Sequence, residues 1–192
     1  RETAEWCANA ERNYPFLATY LPERAVKSLF DVYRETARKQ GYEASPYQLG
    51  HLIPIYVGET DEQAKREAAQ HVMWLYHRGL RYVWEILFPP GYQSTSSMVR
   101  MTNSFQDVDW SSLSFDQMNE LGYCVVGSAE TVRRRLSHSA KTLGFGIIMG
   151  ILQIGDMPKD RTRRNMELFA SKVMPALRDE FGDMDVKRAG AA

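Results

Sequence analysis

The sequence has no excess of either charge, few cysteines and no apolar stretch long enough to cross a bilayer. Its 192 residues include 24 Lys and Arg against 24 Asp and Glu, so no overall field favours nucleic acid or an anionic membrane. The two cysteines, Cys7 and Cys124, cannot build a disulfide framework and have no metal-ligand spacing. We therefore expect a protein of a reducing, cytoplasmic compartment.

The beginning of the chain lacks both an initiator methionine and a recognisable signal peptide. Arg1 is followed almost at once by helical composition, so we expect a processed chain or a fragment of a longer protein. A hydrophobic content of 44% is typical of a globular protein with a sizeable core. The length suits one domain, 1–192, or a large part of one.

Strand and helix patterns alternate along most of the chain. Strands are predicted over 13–21, 47–58, 124–126 and 146–154, and each is followed by a helix pattern. This alternation predicts an α/β fold with parallel strands joined by right-handed helical crossovers. The run FGIIMGILQI (145–154) does not alternate with polar residues, so we expect 146–154 to be a central strand buried on both faces.

Helix signals flank these strands. Pro22 suits the first turn of one helix, Thr60 or Asp61 can cap the next, and Ser128 can cap a third. The run RRRL (133–136) on that third helix is predicted to be a solvated face. The last helix, 160–178, is predicted to present one apolar face made of Met166, Phe169, Ala170, Val173 and Leu177.

Residues 81–120 show neither the helix nor the strand periodicity of apolar residues, and they are rich in Pro, Gly and Ser. Five aromatic residues lie among them: Trp84, Phe88, Tyr92, Phe105 and Trp110. A loop of this length is typical of a functional or disordered segment. The aromatics suit either a lid over an organic substrate or the surface of a dimer interface. We expect 89–114 to be the most mobile or partner-dependent part of the chain, and the tail 183–192 to be frayed.

Four segments resemble the luciferase-like monooxygenases, the bacterial luciferase superfamily, in that family's order. The segment YCVVGSAETVRRRL (123–136) resembles its V-V-G-S-x-E-x-V stretch, and ILQIGDMPKDRTRRNMELFASKVMPAL (151–177) resembles its closing strand and final helix. In addition, IYVGETDEQAKREA (55–68) is similar to its strand-then-T-D-x-x-A unit, and PPGY (89–92) to part of an inserted loop.

This resemblance implies a flavin-dependent enzyme on a (β/α)8 TIM barrel. A complete barrel needs about 250 residues, so the chain corresponds to the C-terminal half: strands six to eight, their helices and the helix after strand five. The implied cofactor is reduced FMN, or a deazaflavin, and the implied reaction is oxygenation of a small organic substrate through a flavin peroxide. A flavin reductase is an implied partner.

Two other functions stay open: a non-catalytic half barrel that self-associates, and a deazaflavin-dependent oxidoreductase on the same fold. A half barrel cannot close on itself, so the chain is expected to pair with a copy of itself or with the missing N-terminal half. That association is expected to bury apolar side chains of two strands: Leu52, Ile53, Ile55, Ile148 and Ile151.

Four positions are candidates for cofactor binding: Thr3, Tyr20, Gln153 and Gly155. Thr3 matches a family threonine at a helix N-terminus, where free amides favour a phosphate; otherwise it simply begins a helix. Gln153 and Gly155 follow the last strand, where the alternative is turn chemistry. Asp156 is expected to serve that turn by capping the approach to the last helix. No residue is indicated as the catalytic acid or base.

Other candidates have a structural reading beside the functional one. The aromatics around the predicted sixth strand (Tyr14, Phe16, Tyr20) line a flavin slot or belong to the core, and Glu59 and Thr60 are expected to cap a helix. None of the four histidines (His51, His71, His77, His138) has a Cys or carboxylate at a ligand spacing, so no metal site is predicted. Cys7 and Cys124 are predicted to be buried small hydrophobes.

Overall fold

A computed structural model of the chain describes residues 1–80 and 112–182, together with residues 91, 94, 95 and 99. Most of 89–114, the lid aromatics and the tail 183–192 lie outside the described residues. The strands are β1 (Phe16–Thr19), β2 (Leu49–Gly58), β3 (Val125–Ser128) and β4 (Ile147–Ile151). These four strands pair in parallel throughout, which confirms the predicted parallel α/β architecture.

Seven α-helices lie in the described part of the chain: α1 (Glu2–Cys7), α2 (Glu23–Lys39), α3 (Asp61–Trp74), α4 (Phe115–Glu120), α5 (Ala129–Leu143), α6 (Lys159–Leu168) and α7 (Met174–Phe181). A short 3-10 turn, Pro46–Gln48, precedes β2. The helix α4 falls in the segment predicted to be aperiodic, and it begins at Ser114, whose hydroxyl accepts a bond from the Gln117 amide.

Thr60 and Ser128 cap their helices as predicted, whereas Glu59 caps none of the described helices. The Thr60 hydroxyl accepts a hydrogen bond from the Gln63 amide at 3.1 Å, and the Ser128 hydroxyl accepts one from the Thr131 amide at 3.3 Å. A π-helical turn, Phe169–Val173, joins α6 to α7. It lies just before Pro175, which has no N–H to donate and so interrupts the regular hydrogen-bond ladder.

Strand β2 is the centre of the sheet. Its first half pairs with β1 and with β4, and its second half pairs with β3. Tyr56 packs with side chains of α3, whereas Ile55 and Val57 pack with α5 and the π turn. The second half of β2 is therefore covered on both faces, which explains its continuous apolar run.

One face of the first half of the sheet is open. The register aligns its side chains in two rows: Leu17, Gly50 and Ile147, then Thr19, Leu52 and Met149. Met149 is 47% exposed, and Leu17, Leu52 and Ile147 are half-buried. The prediction that 146–154 is a central strand buried on both faces is wrong, since among the described residues β4 pairs with β2 alone and its faces are only partly covered.

Two residues expected to be hidden by association are already inside the chain. Ile53 and Ile55 are buried against the side chains of α5 and the π turn. Leu52 and Ile151 are half-buried on the open face beside Met149, so they remain available to a partner. Ile148 is also half-buried, but it packs against the core on the opposite face.

Asn165 of α6 extends the edge of β2 beyond the point where β4 ends. Its side-chain Nδ2 donates to the carbonyl oxygens of Ile55 and Leu152, both at 2.8 Å, and its Oδ1 accepts from the Val57 amide at 2.8 Å. The side chain is fully buried. It satisfies backbone groups that a neighbouring strand would otherwise bond.

Two predictions about exposed and buried helix faces are wrong in part. Val173 is buried, and Phe169 and Leu177 pack against the same core cluster, as predicted. Met166 is 47% exposed and Ala170 is exposed, because the side chain that α6 buries is Asn165. Within the predicted solvated run 133–136, Arg135 points inward and its Nη1 donates to Asn119 Oδ1 at 2.6 Å. Leu136 is buried in the core.

Both cysteines are buried and free, which confirms their prediction as small hydrophobes. Burial raises the pKa of the Cys7 thiol and raises the pKa of the Cys124 thiol to about 12. At pH 8 we expect the Cys124 thiol of the folded protein to react with a disulfide reagent at least ~100-fold more slowly than in urea, because the thiolate is the nucleophile. Rapid reaction of Cys124 without denaturant would contradict this.

Candidate functional site

The carboxyl ends of the parallel strands meet at one edge of the sheet. Tyr20 follows β1 directly, Glu59 and Thr60 follow β2, and the turn 153–157 follows β4. In parallel α/β proteins this edge is where ligands bind. The sheet topology therefore brings three of the four candidate cofactor residues, Tyr20, Gln153 and Gly155, to the same end of the molecule.

The turn 153–157 is closed by its own side chain and backbone. Gln153 Nε2 donates to the carbonyl oxygens of Gly155 at 3.0 Å and Met157 at 3.4 Å. Gly155 has φ 53°, and a Cβ placed on it would lie 2.6 Å from the His71 carbonyl oxygen. A glycine is required here both by the left-handed backbone and by the close approach of α3.

Asp156 does not cap the last helix, contrary to expectation. Pro158 stands at the start of α6, and no side chain caps it. Instead Asp156 Oδ1 lies 2.6 Å from Nδ1 of His71, whose side chain is 2% exposed. This hydrogen bond lowers the pKa of the Asp156 carboxyl. The two residues are 85 apart in the chain, so no spacing rule could have found the pair.

Tyr20 is held in an unusual backbone conformation. Its φ is 55°, which is uncommon for a residue other than glycine, and such strain is enriched at functional sites. The ring is half-buried and meets the Tyr76 ring edge to face at 6.5 Å. Tyr76 belongs to the apolar cluster that also contains Ile154 and Met157. Through this cluster Tyr20 is connected to the turn 153–157.

Thr3 is exposed in the first turn of α1. Helix α1 packs on α2 and β1, and the hydroxyl of Ser94, in the inserted segment, donates to the carboxylate of neighbouring Glu2. No side-chain hydrogen bond among the described residues joins Thr3 to Tyr20 or to Gln153. The structure thus groups Tyr20, Gln153 and Gly155 more closely than it groups Thr3 with them.

The other two candidate aromatics near β1, Phe16 and Tyr14, lie in different environments. Phe16 is buried and meets the Phe30 ring edge to face, so it belongs to the core. Tyr14 is 51% exposed and precedes β1 at the amino end of the sheet. Neither contributes to the carboxyl edge.

The histidines occupy different environments. His51 lies in β2 and is 2% exposed; burial lowers its pKa, and within the described residues its Nε2 has no hydrogen-bond partner. His71 is buried on α3, and His138 is exposed on α5. Among the described residues, no three His, Cys, Asp or Glu side chains lie close enough to hold a metal ion.

A polar network fixes α3 against β2 and α6. Glu67 Oε2 accepts from the Tyr56 hydroxyl at 2.5 Å and from Arg164 Nη2 at 2.7 Å, and Oε1 accepts from Gln63 Nε2 at 3.1 Å. Burial opposes ionisation of Glu67, but these bonds keep the pKa of its carboxyl lowered. The network holds α3 in the position from which His71 reaches the turn.

Replacing Gly155 with alanine is expected to lower the free energy of unfolding by about 2–4 kcal/mol, because a left-handed backbone and a steric overlap act together. The matched control is Gly41→Ala, where φ is 85° but no atom lies within 4 Å of the new Cβ. That control should cost only about 1 kcal/mol. Urea unfolding of both variants measures the difference, and equal losses would contradict the clash with His71.

The sequence matches one family of known proteins. A family model described as luciferase-like monooxygenase matches residues 8–145. No curated protein matches the sequence. Among the described residues, no helix combines the length and apolar character that a membrane crossing needs.

Several solved structures share the fold. The oxygenating constituent of 3,6-diketocamphane monooxygenase from Pseudomonas putida, solved with FMN, is 18% identical with a TM-score of 0.63, over 90% of this chain and 44% of that one. A monooxygenase from Streptomyces bottropensis is 18% identical with a TM-score of 0.60, over 91% and 45%. A secondary alcohol dehydrogenase bound to a coenzyme F420–acetone adduct is 15% identical with a TM-score of 0.54, over 93% and 46%. The chain spans less than half the length of each.

Proposed function

The chain belongs to the luciferase-like monooxygenase family, and on that premise we propose that it forms the C-terminal half of a flavin-dependent monooxygenase barrel. Its strands β1, β2 and β4 would then be barrel strands six to eight. The observation that carries the proposal is the carboxyl edge of the sheet, where Tyr20 and the turn 153–157 lie together in a chain that matches the family model.

The residues at this edge suit a flavin in part. Tyr20 offers a half-exposed aromatic ring, and the turn offers an exposed amide at Gln153 beside a backbone with no Cβ at Gly155. Thr3 would supply a hydroxyl to the flavin phosphate from the first turn of α1. When bound, the reduced flavin would supply the two electrons with which O2 is split, so that one oxygen atom enters a small organic substrate and the other leaves as water. A flavin reductase would return it to the reduced form.

Two observations favour other functions. The F420-dependent relative has the same fold, which supports a deazaflavin-dependent oxidoreductase as the second candidate. The open face around Met149 supports the third, a half barrel that self-associates without catalysis. We propose a cytoplasmic location on the family relationship alone.

The test is titration of oxidised and reduced FMN, and of a deazaflavin, into the longest natural reading frame that contains residues 1–192. Tyr20→Leu should weaken FMN binding about 5- to 150-fold, since an aromatic stack is worth about 1–3 kcal/mol. Tyr14→Leu is the control, because Tyr14 lies at the opposite end of the same strand. Absence of FMN binding, or tighter binding of the deazaflavin, would overturn the monooxygenase proposal.

A further inference from the structure

We infer that His71 is a positioning residue, which holds the turn 153–157 in the conformation that presents Gln153 and Gly155 at the carboxyl edge of the sheet. His71 contacts this turn twice. Its imidazole Nδ1 lies 2.6 Å from Asp156 Oδ1, and its backbone oxygen occupies the space that a Cβ on Gly155 would take. We call these two contacts the His71 clamp.

The surroundings of the ring select one tautomer. Nε2 lies 3.2 Å from Gln70 Nε2 and 3.4 Å from Arg161 Nη1. A guanidinium can only donate, so Nε2 accepts and the ring proton stays on Nδ1. From there it is donated to the Asp156 carboxylate. Both ring nitrogens are thereby engaged in a side chain that is 2% exposed.

The charges around the clamp come from three directions. Asp156 faces Nδ1 from the turn, and Arg161 faces Nε2 from α6. Arg78, beyond the end of α3, acts on Asp156. Glu67 accepts from Arg161 through its backbone oxygen, while its carboxylate is paired with Arg164. Within the described residues, the carboxylate bonded to the ring is thus that of Asp156 alone, which is half exposed and free to move if the bond is lost.

This arrangement explains why a buried histidine stands on a helix face that otherwise carries apolar residues such as Ala68 and Val72. An apolar side chain there would fill the space but would release Asp156. The clamp itself follows from the contacts alone, and only its effect on ligand affinity rests on the proposed flavin function. Because Gln153 closes the turn through Gly155, loosening Asp156 is expected to displace both candidate cofactor residues.

The experiment compares His71→Leu with His71→Asn, whose Nδ2 can replace Nδ1 as the donor to Asp156. Imidazole nitrogen NMR of the unaltered protein should show a proton on Nδ1 of His71 and none on Nε2. Amide exchange at 154–157 should accelerate at least ~10-fold in His71→Leu and return to within about threefold in His71→Asn. His138→Leu, at an exposed histidine, is the control and should change neither measurement.

The pH dependence of amide exchange provides an independent test of the His71 clamp. The Asp156 pKa is lowered in the folded state, so the contribution of this bond is complete above the carboxyl's ordinary pKa and disappears as the pH falls through the lowered value. Protection of 154–157 should therefore fall in acid for the unaltered protein and stay low at every pH in His71→Leu. An Asp156→Asn variant, whose amide oxygen still accepts from Nδ1, should lose this pH dependence.

FMN is the probe for the functional consequence. The inference is supported if His71→Leu loosens the turn and binds FMN at least ~10-fold more weakly, and if His71→Asn restores both the exchange protection and the FMN affinity. Unchanged exchange at 154–157, or an Nε2 proton, overturns it. Loosened exchange with unchanged FMN affinity overturns the positioning role at a cofactor. These FMN titrations use the longest natural reading frame that contains residues 1–192. If that unaltered protein binds no FMN, the proposed function fails, while the tautomer and exchange measurements still decide the clamp.

Discussion

Replacing Asn165 with alanine is expected to lower the free energy of unfolding by about 3–5 kcal/mol, because three buried backbone groups lose their partner at once. The groups are the carbonyls of Ile55 and Leu152 and the amide of Val57, each 2.8 Å from the Asn165 side chain. No solvent reaches this side chain in the folded protein. The loss therefore includes the full cost of leaving these groups unpaired.

Urea unfolding measures this effect, with Glu167→Ala as the matched control on the exposed side of the same helix. The Asn165→Asp variant separates the contribution of the two hydrogen bonds that Nδ2 donates from that of the bond that Oδ1 accepts. Its carboxylate would face two carbonyl oxygens, so it should be at least as destabilising at neutral pH, and acid should restore part of the loss by allowing the group to donate. A loss below about 1 kcal/mol in Asn165→Ala would show that water or a shifted strand replaces the side chain.

The second large effect concerns association: residues 1–192 alone are expected to self-associate and to bind FMN weakly or not at all. The open face of the sheet carries Met149, Leu52 and Ile151, and the β4 edge lies beside an apolar groove of about 450 Å3 lined by residues such as Phe145 and Phe169. Burying about 400 Å2 of such surface at about 25 cal/mol per Å2 contributes on the order of 10 kcal/mol. That is comparable to the stability of a typical domain.

Light scattering on the chain across a concentration series tests this prediction. Met149→Lys should raise the dissociation constant of self-association at least ~10-fold, since a charge would have to be buried in the interface. Met166→Lys is the control, because Met166 is also 47% exposed but lies on the exposed side of α6 and not on the open face of the sheet. A folded monomer that binds FMN tightly would show that the chain needs no second half.

The local structure was determined by the sequence itself. Alternating strand and helix patterns predicted the parallel sheet, and Thr60 and Ser128 marked helix starts correctly, because caps and periodicity depend on residues only a few positions apart. The burial of Cys7 and Cys124 was predicted from the residue type, since a free cysteine behaves as a small hydrophobe. The four sequence segments that resemble the luciferase-like monooxygenases also predicted the family, which the family-model match over 8–145 confirms.

Only the tertiary structure decided which side chains meet across the fold. The Asp156–His71 bond spans 85 residues and the Asn165–Ile55 bond spans 110, and neither leaves a signal in local spacing. The apolar run at β4 was misread for a related reason. A sequence of apolar residues shows that both faces of a strand are suited to burial, but the neighbours that cover them are chosen by the packing of distant elements, and here one face was left open.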